Sequence, residues 1–103
     1  MTSKYQIIYW RDIPAQIKVR SGTARLARNL SERFQQAIDE AAMHEGLIGT
    51  DDYLEMWRTS EWLDRDGTAE DVAAALVIEL ETAFPRDRLA DFVASGGRRP
   101  AAP

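Results

Sequence analysis

Trp10, Arg11, Asp12 and Pro14 form the densest group of distinctive side chains in this 103-residue chain. An aromatic, a guanidinium and a carboxylate in consecutive positions suit an interface anchor, because Trp and Arg dominate binding hot spots. Ile13 and Gln16 complete the candidate contact set. In it Trp10 is buried with Ile13 or Pro14 and Arg11 pairs with a partner carboxylate. The same residues also suit a plain turn, with Trp10 closing the edge of a core. Tyr53, Trp57 and Trp62 form a second group. They have the makings of a pocket for a planar ligand, or of core filling, the commoner fate of aromatics.

Asp39, Glu40, Glu45, Asp51 and Asp52 could supply paired carboxylates for acid–base chemistry or oxygen ligands for a divalent cation. The ligand spacing of a calcium loop is absent, and runs of this kind ordinarily serve as solvated surface. His44 is the single histidine and there is no cysteine. Thiol chemistry, cysteine zinc sites and histidine-built metal sites are therefore excluded. His44 suits the negative end of a helix dipole. No nucleophile with an attendant base is visible, so the expectation is a protein without enzymatic activity, cofactor or metal. Lys4, Lys18, Arg20, Arg25, Arg28 and Arg33, with Tyr5, Tyr9 and Trp10, could form a strand platform for nucleic acid. The glycine-aromatic motifs of RNA-binding sheets are missing and the acidic second half would repel a polyanion, which makes nucleic acid the third-ranked partner.

Those groups need a scaffold. Residues 1–36 hold seven basic and two acidic side chains, 37–84 two basic and thirteen acidic, and 85–103 four basic and two acidic. The segments carry +5, −11 and +2, within a formal net charge of −4, so a basic and an acidic face are expected. No run reaches about 18 apolar residues and no leader pattern is present. The expectation is one cytoplasmic domain over 1–95, with no membrane contact and a disordered tail, GGRRPAAP, over 96–103.

Tyr5 to Trp10 and Ile13 to Val19 read as two strands of a hairpin turning at Arg11-Asp12, the second alternating Ile13, Ala15, Ile17, Val19 with polar positions. Pro14 places that strand at an edge or starts it just after. Leu26, Leu30, Phe34, Ile38 and Ala41 then recur at helical spacing, with Asn29 or Ser31 as N-cap or a start as early as Ala24. Gly46-Leu47 fits a left-handed C-terminal cap. YLEMWRTSEWLDRD satisfies either period; its aromatic content and the Asp66-Gly67 turn favour a third strand, and a short helix capped by Asp51 is the alternative. Thr68 and Asp71 open a second helix whose stripe is Val72, Ala75, Leu76, Leu80, Ala83 and Phe84. Pro85 stops it, and Leu89, Phe92 and Val93 add a short C-terminal helical turn. The expected fold is α+β, β-β-α-β-α: a three-stranded, mainly antiparallel sheet with two helices on one face.

The strings YWRDIPAQI (Tyr9–Ile17) and LSERFQQAIDEAAMHEGLIGTDDYLEMWR (Leu30–Arg58) resemble the bacterial virulence factor domain family, from about Tyr5 to Leu89 on the boundaries above. The family name describes a phenotype and no reaction, and brings no catalytic residues to carry over. In some relatives a similar domain is fused to an iron–sulfur scaffold type domain and helical repeats, which implies a protein-interaction device. The association of stand-alone members with folate- and corrinoid-dependent methyl transfer implies a one-carbon enzyme as a candidate partner. Residues and resemblance together favour a non-catalytic interaction domain that binds a protein or itself, as a homodimer, through Trp10–Gln16. An accessory subunit of a methyl-transfer or folate enzyme is the alternative.

Overall fold

β-branched and aromatic residues in alternation carry the first third of the chain into strands, as expected of sequences that fit a half-buried pleated surface. The computed structural model describes residues 1–100. Its elements are β1 (Thr2–Trp10), β2 (Ile13–Ser21), β3 (Ala24–Asn29), α1 (Glu32–His44), α2 (Asp51–Glu55), β4 (Trp57–Thr59), β5 (Leu63–Asp66), α3 (Ala69–Ala83) and α4 (Arg86–Ala94). The fold is α+β, with a five-stranded antiparallel sheet and four helices.

The sheet runs β3-β2-β1-β4, and β5 also pairs with β1. β4 takes the Ile8–Trp10 half of β1 and β5 the Thr2–Tyr5 half, their registers displaced by one residue. They are thus one edge strand broken by a bulge. Ser60 fills the break: its N–H donates to Ile7 O at 2.9 Å, and its Oγ accepts from Ile7 N at 2.9 Å.

Three expectations are corrected. Ala24–Asn29 is a strand, so the first helix starts only after Ser31 and the sheet is wider than three strands. Leu26, in phase with the helical stripe, packs instead on the cluster built by Ile17 and Val19; the two-residue turn at Gly22-Thr23 lets the chain fold straight back on β2, and that pairing overrides the periodicity. The stretch from Tyr53 is not one strand. Thr50 caps α2, its Oγ1 accepting from Tyr53 N at 3.3 Å, and the strand begins at Trp57. Third, the C-terminal turn is a nine-residue helix with Pro85 at its N-cap.

The helices do not share one face. Directly paired residues lie on the same side of a sheet and successive ones on opposite sides. Tyr5–Val19 and Ile7–Ile17 are pairs, and they pack on Val72, Ala73 and Leu76 of α3. Trp10 is in phase with Ile8, on the other side, and with Ile13 it packs on Phe34, Ile38 and Ala41 of α1 and Phe92 and Val93 of α4. Val77 and Leu80 touch both clusters. Arg33 ties α1 to the end of α3, donating from Nη2 to Glu81 O at 2.7 Å and pairing with the Glu81 carboxylate at 2.7 Å. The expected caps form: Gly46 takes a positive φ of 68°, and Thr68 Oγ1 accepts from Asp71 N at 3.1 Å.

Candidate functional site

The hairpin tip is an interior structure. Trp10 and Ile13 are both 0% exposed, Pro14 is fully buried and Arg11 is 9% exposed. Asp12 and Gln16 are half-buried. Trp10, Ile13 and Pro14 therefore present no surface to a partner, and their role is the one a turn over a core edge would give them. Trp10 Nε1 donates to Tyr53 O at 2.9 Å, and the two rings lie 5.7 Å apart.

Arg11 takes φ 52°, the left-handed region that glycine ordinarily occupies. Four residues from three segments hold it there. Its N–H donates to Met56 O at 3.0 Å and its carbonyl accepts from Arg58 Nε at 2.8 Å. Its Nη1 donates to Glu45 Oε1, at the end of α1, and to Gly96 O, both at 2.7 Å. The guanidinium lies 5.2 Å from the Trp10 ring centroid. Arg11 thus pairs with a carboxylate of its own chain. Asp12 completes the closure: its N–H donates to Gly97 O at 2.9 Å and its Oδ2 accepts from Arg99 N at 2.7 Å.

Residues 96–99, expected to be disordered, are therefore bound to the tip. Gly96 and Gly97 are buried, with positive φ of 70° and 88°. A Cβ on Gly97 would lie 2.7 Å from Trp10 Cζ3 and one on Gly96 2.7 Å from Glu45 Oε1. The adjacent glycines were the available signal: a GG pair permits the close backbone approach that any side chain would block. The remainder of the expected tail, 101–103, lies outside the described residues.

The exposed chemistry sits elsewhere. Beside the Ile7–Ile17 rows that meet α3, the alternate rows face the other way: Asp64–Lys4–Arg20–Arg25, then Gln6–Lys18–Ala27, then Thr59–Ile8–Gln16–Asn29. A hollow of about 430 Å3 lies over Ile8, Gln16 and Asn29, bounded by Trp57 and by Glu32 and Gln35 of α1. A second, of about 360 Å3, lies over Gln6, Lys18, Arg20, Arg25 and Trp62. Trp57 and Trp62, both half-buried, mark the two ends of this open face. Arg20 stacks on Trp62 with its Cζ 4.1 Å from the ring centroid. Tyr53 and Trp57 meet edge-to-face at 6.3 Å, but Trp62 belongs to the other hollow, so the three aromatics do not form one pocket.

The acidic residues stay apart. Asp39, Glu40, Glu45, Asp51, Asp52 and His44 are exposed, and no group of three metal-ligating side chains converges among the described residues. The Glu79 carboxyl is held below its usual range by the hydrogen bond from Arg65, Nη1 to Oε1 at 2.9 Å.

Tyr9 lies half-buried under Arg58, whose Cζ is 4.4 Å from its ring centroid. Burial raises its phenol above the usual value of 10.0, and the Arg58 charge opposes this. With the folded pKa above the unfolded one, the unfolded chain releases its proton first, so stability present below about pH 10 is lost as pH rises through the folded pKa. Tyr9→Phe is expected to flatten the fall of the urea midpoint above about pH 10. Equal slopes in both proteins would exclude Tyr9 as its source.

The geometry defines a small α+β domain with a sealed hairpin tip and one open sheet face. The chain belongs to the Virulence factor family, whose model matches residues 8–93. No curated protein and no solved structure matches it. Among the described residues no helix is long and apolar enough to cross a membrane.

Proposed function

We propose that this chain is a non-catalytic protein-interaction domain that binds its partner on the sheet face left open by α3. The observation that carries the reading is the pair of hollows between Trp57 and Trp62, floored by Ile8, Gln16, Lys18 and Arg20. Half-buried tryptophans beside arginine are residues that interface centres favour. Of the residues first assigned to the contact set, Gln16 lines this surface. Trp10, Arg11, Asp12, Ile13 and Pro14 hold the strands that display it.

Immobilised protein is expected to retain a partner from its native lysate in near-stoichiometric amount. Gln16→Arg combined with Ile8→Lys should lower that recovery about tenfold, a change of about 1.4 kcal/mol, with the circular dichroism spectrum unchanged. Asp39→Asn, on the exposed side of α1, is the control and should leave recovery intact. Equal recovery in the wild type and the double variant, or no retained protein, overturns the assignment.

A further inference from the structure

β3 is a free edge of the sheet. Among the described residues its only strand neighbour is β2, through six successive antiparallel pairs from Gln16–Asn29 to Ser21–Ala24. Alternate N–H and C=O groups along Ala24–Asn29 therefore point away from the sheet, the arrangement that accepts another strand. Five of the six residues are exposed. The strand, ARLARN, contains no proline and no acidic residue. Its bulk rests on the sheet through Leu26, which packs on the α3 cluster.

The charge at this edge has one sign. β2 and β3 together carry Lys18, Arg20, Arg25 and Arg28 and no carboxylate. None of the four joins an ion pair among the described residues, whereas Lys4, Arg11, Arg33, Arg58 and Arg65 all do. Lys18, Arg20 and Arg25 lie together on the open face around the 360 Å3 hollow. Arg28, paired with Ile17, falls on the other side of the strand.

We propose that β3 takes an extended acidic segment of a partner protein as an added strand. Main-chain hydrogen bonds along Ala24–Asn29 would supply the affinity, and carboxylates on alternate positions of the segment would meet Lys18, Arg20 and Arg25. A second copy of this chain fits worse, because pairing two β3 strands brings together two edges whose charged side chains are all basic. Nucleic acid also fits worse. The Trp62 ring is already covered by Arg20, Asp64 and Glu32 border the same face, and an unpaired strand edge matches a peptide backbone. The proposal rests on the protein-binding reading and assigns it an edge and a partner chemistry.

The test is fluorescence anisotropy with the full chain and a short peptide alternating glutamate with valine. Its comparators are the same peptide N-methylated at alternate amides, its lysine-for-glutamate counterpart and a uridine octamer. The acidic peptide is expected to bind best. N-methylation and the double variant Lys18→Glu, Arg25→Glu should each weaken it about tenfold or more, and the β3 amides should gain hydrogen-exchange protection on binding. Because the N-methyl comparison leaves the protein untouched, it stands even if the double variant fails to fold. Binding indifferent to N-methylation, binding of the uridine octamer alone, or no binding would each overturn strand addition. If no peptide binds while partner capture is still lost in the Gln16→Arg, Ile8→Lys protein, the edge assignment falls and the protein-binding reading stands.

Discussion

Trp10→Ala is expected to destabilise the domain by about 4 kcal/mol, the cost typical of deleting a fully buried aromatic side chain. The ring is 0% exposed, donates its Nε1–H to Tyr53 O and touches the backbone of Gly97. Domains of this size are typically stable by about 5–15 kcal/mol, so the variant should be largely unfolded at 37 °C or close to it. Urea denaturation followed by circular dichroism measures this. Trp62→Ala is the contrast, since that ring is half-buried and held mainly by Arg20, and it should cost about 1 kcal/mol or less. A wild-type midpoint for Trp10→Ala would overturn the account of the tip. Loss of binding by a well-folded Trp10→Ala protein would restore Trp10 as a contact residue.

The second large effect is expected at Arg11. Arg11→Ala removes the group that joins the turn to Glu45 and to Gly96 O, and leaves a buried carbonyl without its donor. Breaking a buried pair costs about 3–5 kcal/mol; the Glu45 side chain is 43% exposed, so the low end, about 3 kcal/mol, is expected. Arg11→Gly separates the two contributions. It loses the same hydrogen bonds but relieves the positive φ of 52°, so it should be about 1 kcal/mol more stable than Arg11→Ala. Glu45→Gln keeps a partner for Nη1 and should lose about 1 kcal/mol or less. Arg11→Ala and Arg11→Gly unfolding at the same denaturant concentration would show that backbone strain plays no part.

The hairpin, both long helices and their caps could be read from residue order because they depend on near neighbours: the Ile17–Val19 alternation, the Phe34–Ile38–Ala41 stripe, Gly46, and Thr68 with Asp71. Ile13, expected on the same side as Ile17 and Val19, lies on the other, because the register with β1 shifts between Ile8 and Tyr9. β3 could not be read so, because Leu26 continues the helical stripe toward Leu30, and only pairing with β2 decides against it. The bulge at Ser60 depends likewise on β1, not on the residues that form it. For the site the difficulty was direction. Trp, Arg and Asp in succession describe an anchor equally well whether it grips a partner or the chain's own end, and the acceptors at Gly96 and Gly97 lie 85 positions or more from the turn. Asp39, Glu40, Asp51 and Asp52 are surface, as their spacing suggests, whereas Glu45, from the same group, is the carboxylate that meets Arg11 across 34 positions.

The closure of residues 96–99 over the tip bears on how the protein comes to be made. The carbonyls that meet Arg11 and Asp12, and the glycine beside the Trp10 ring, are synthesised 85 or more residues after the turn they close. Until residues 96–99 are free to fold back, the turn lacks the carbonyls of Gly96 and Gly97, so the tip closes after the rest of the sheet. A chain truncated before Gly96 should therefore be cut by proteases at its N-terminal hairpin more readily than one that includes residues 96–99.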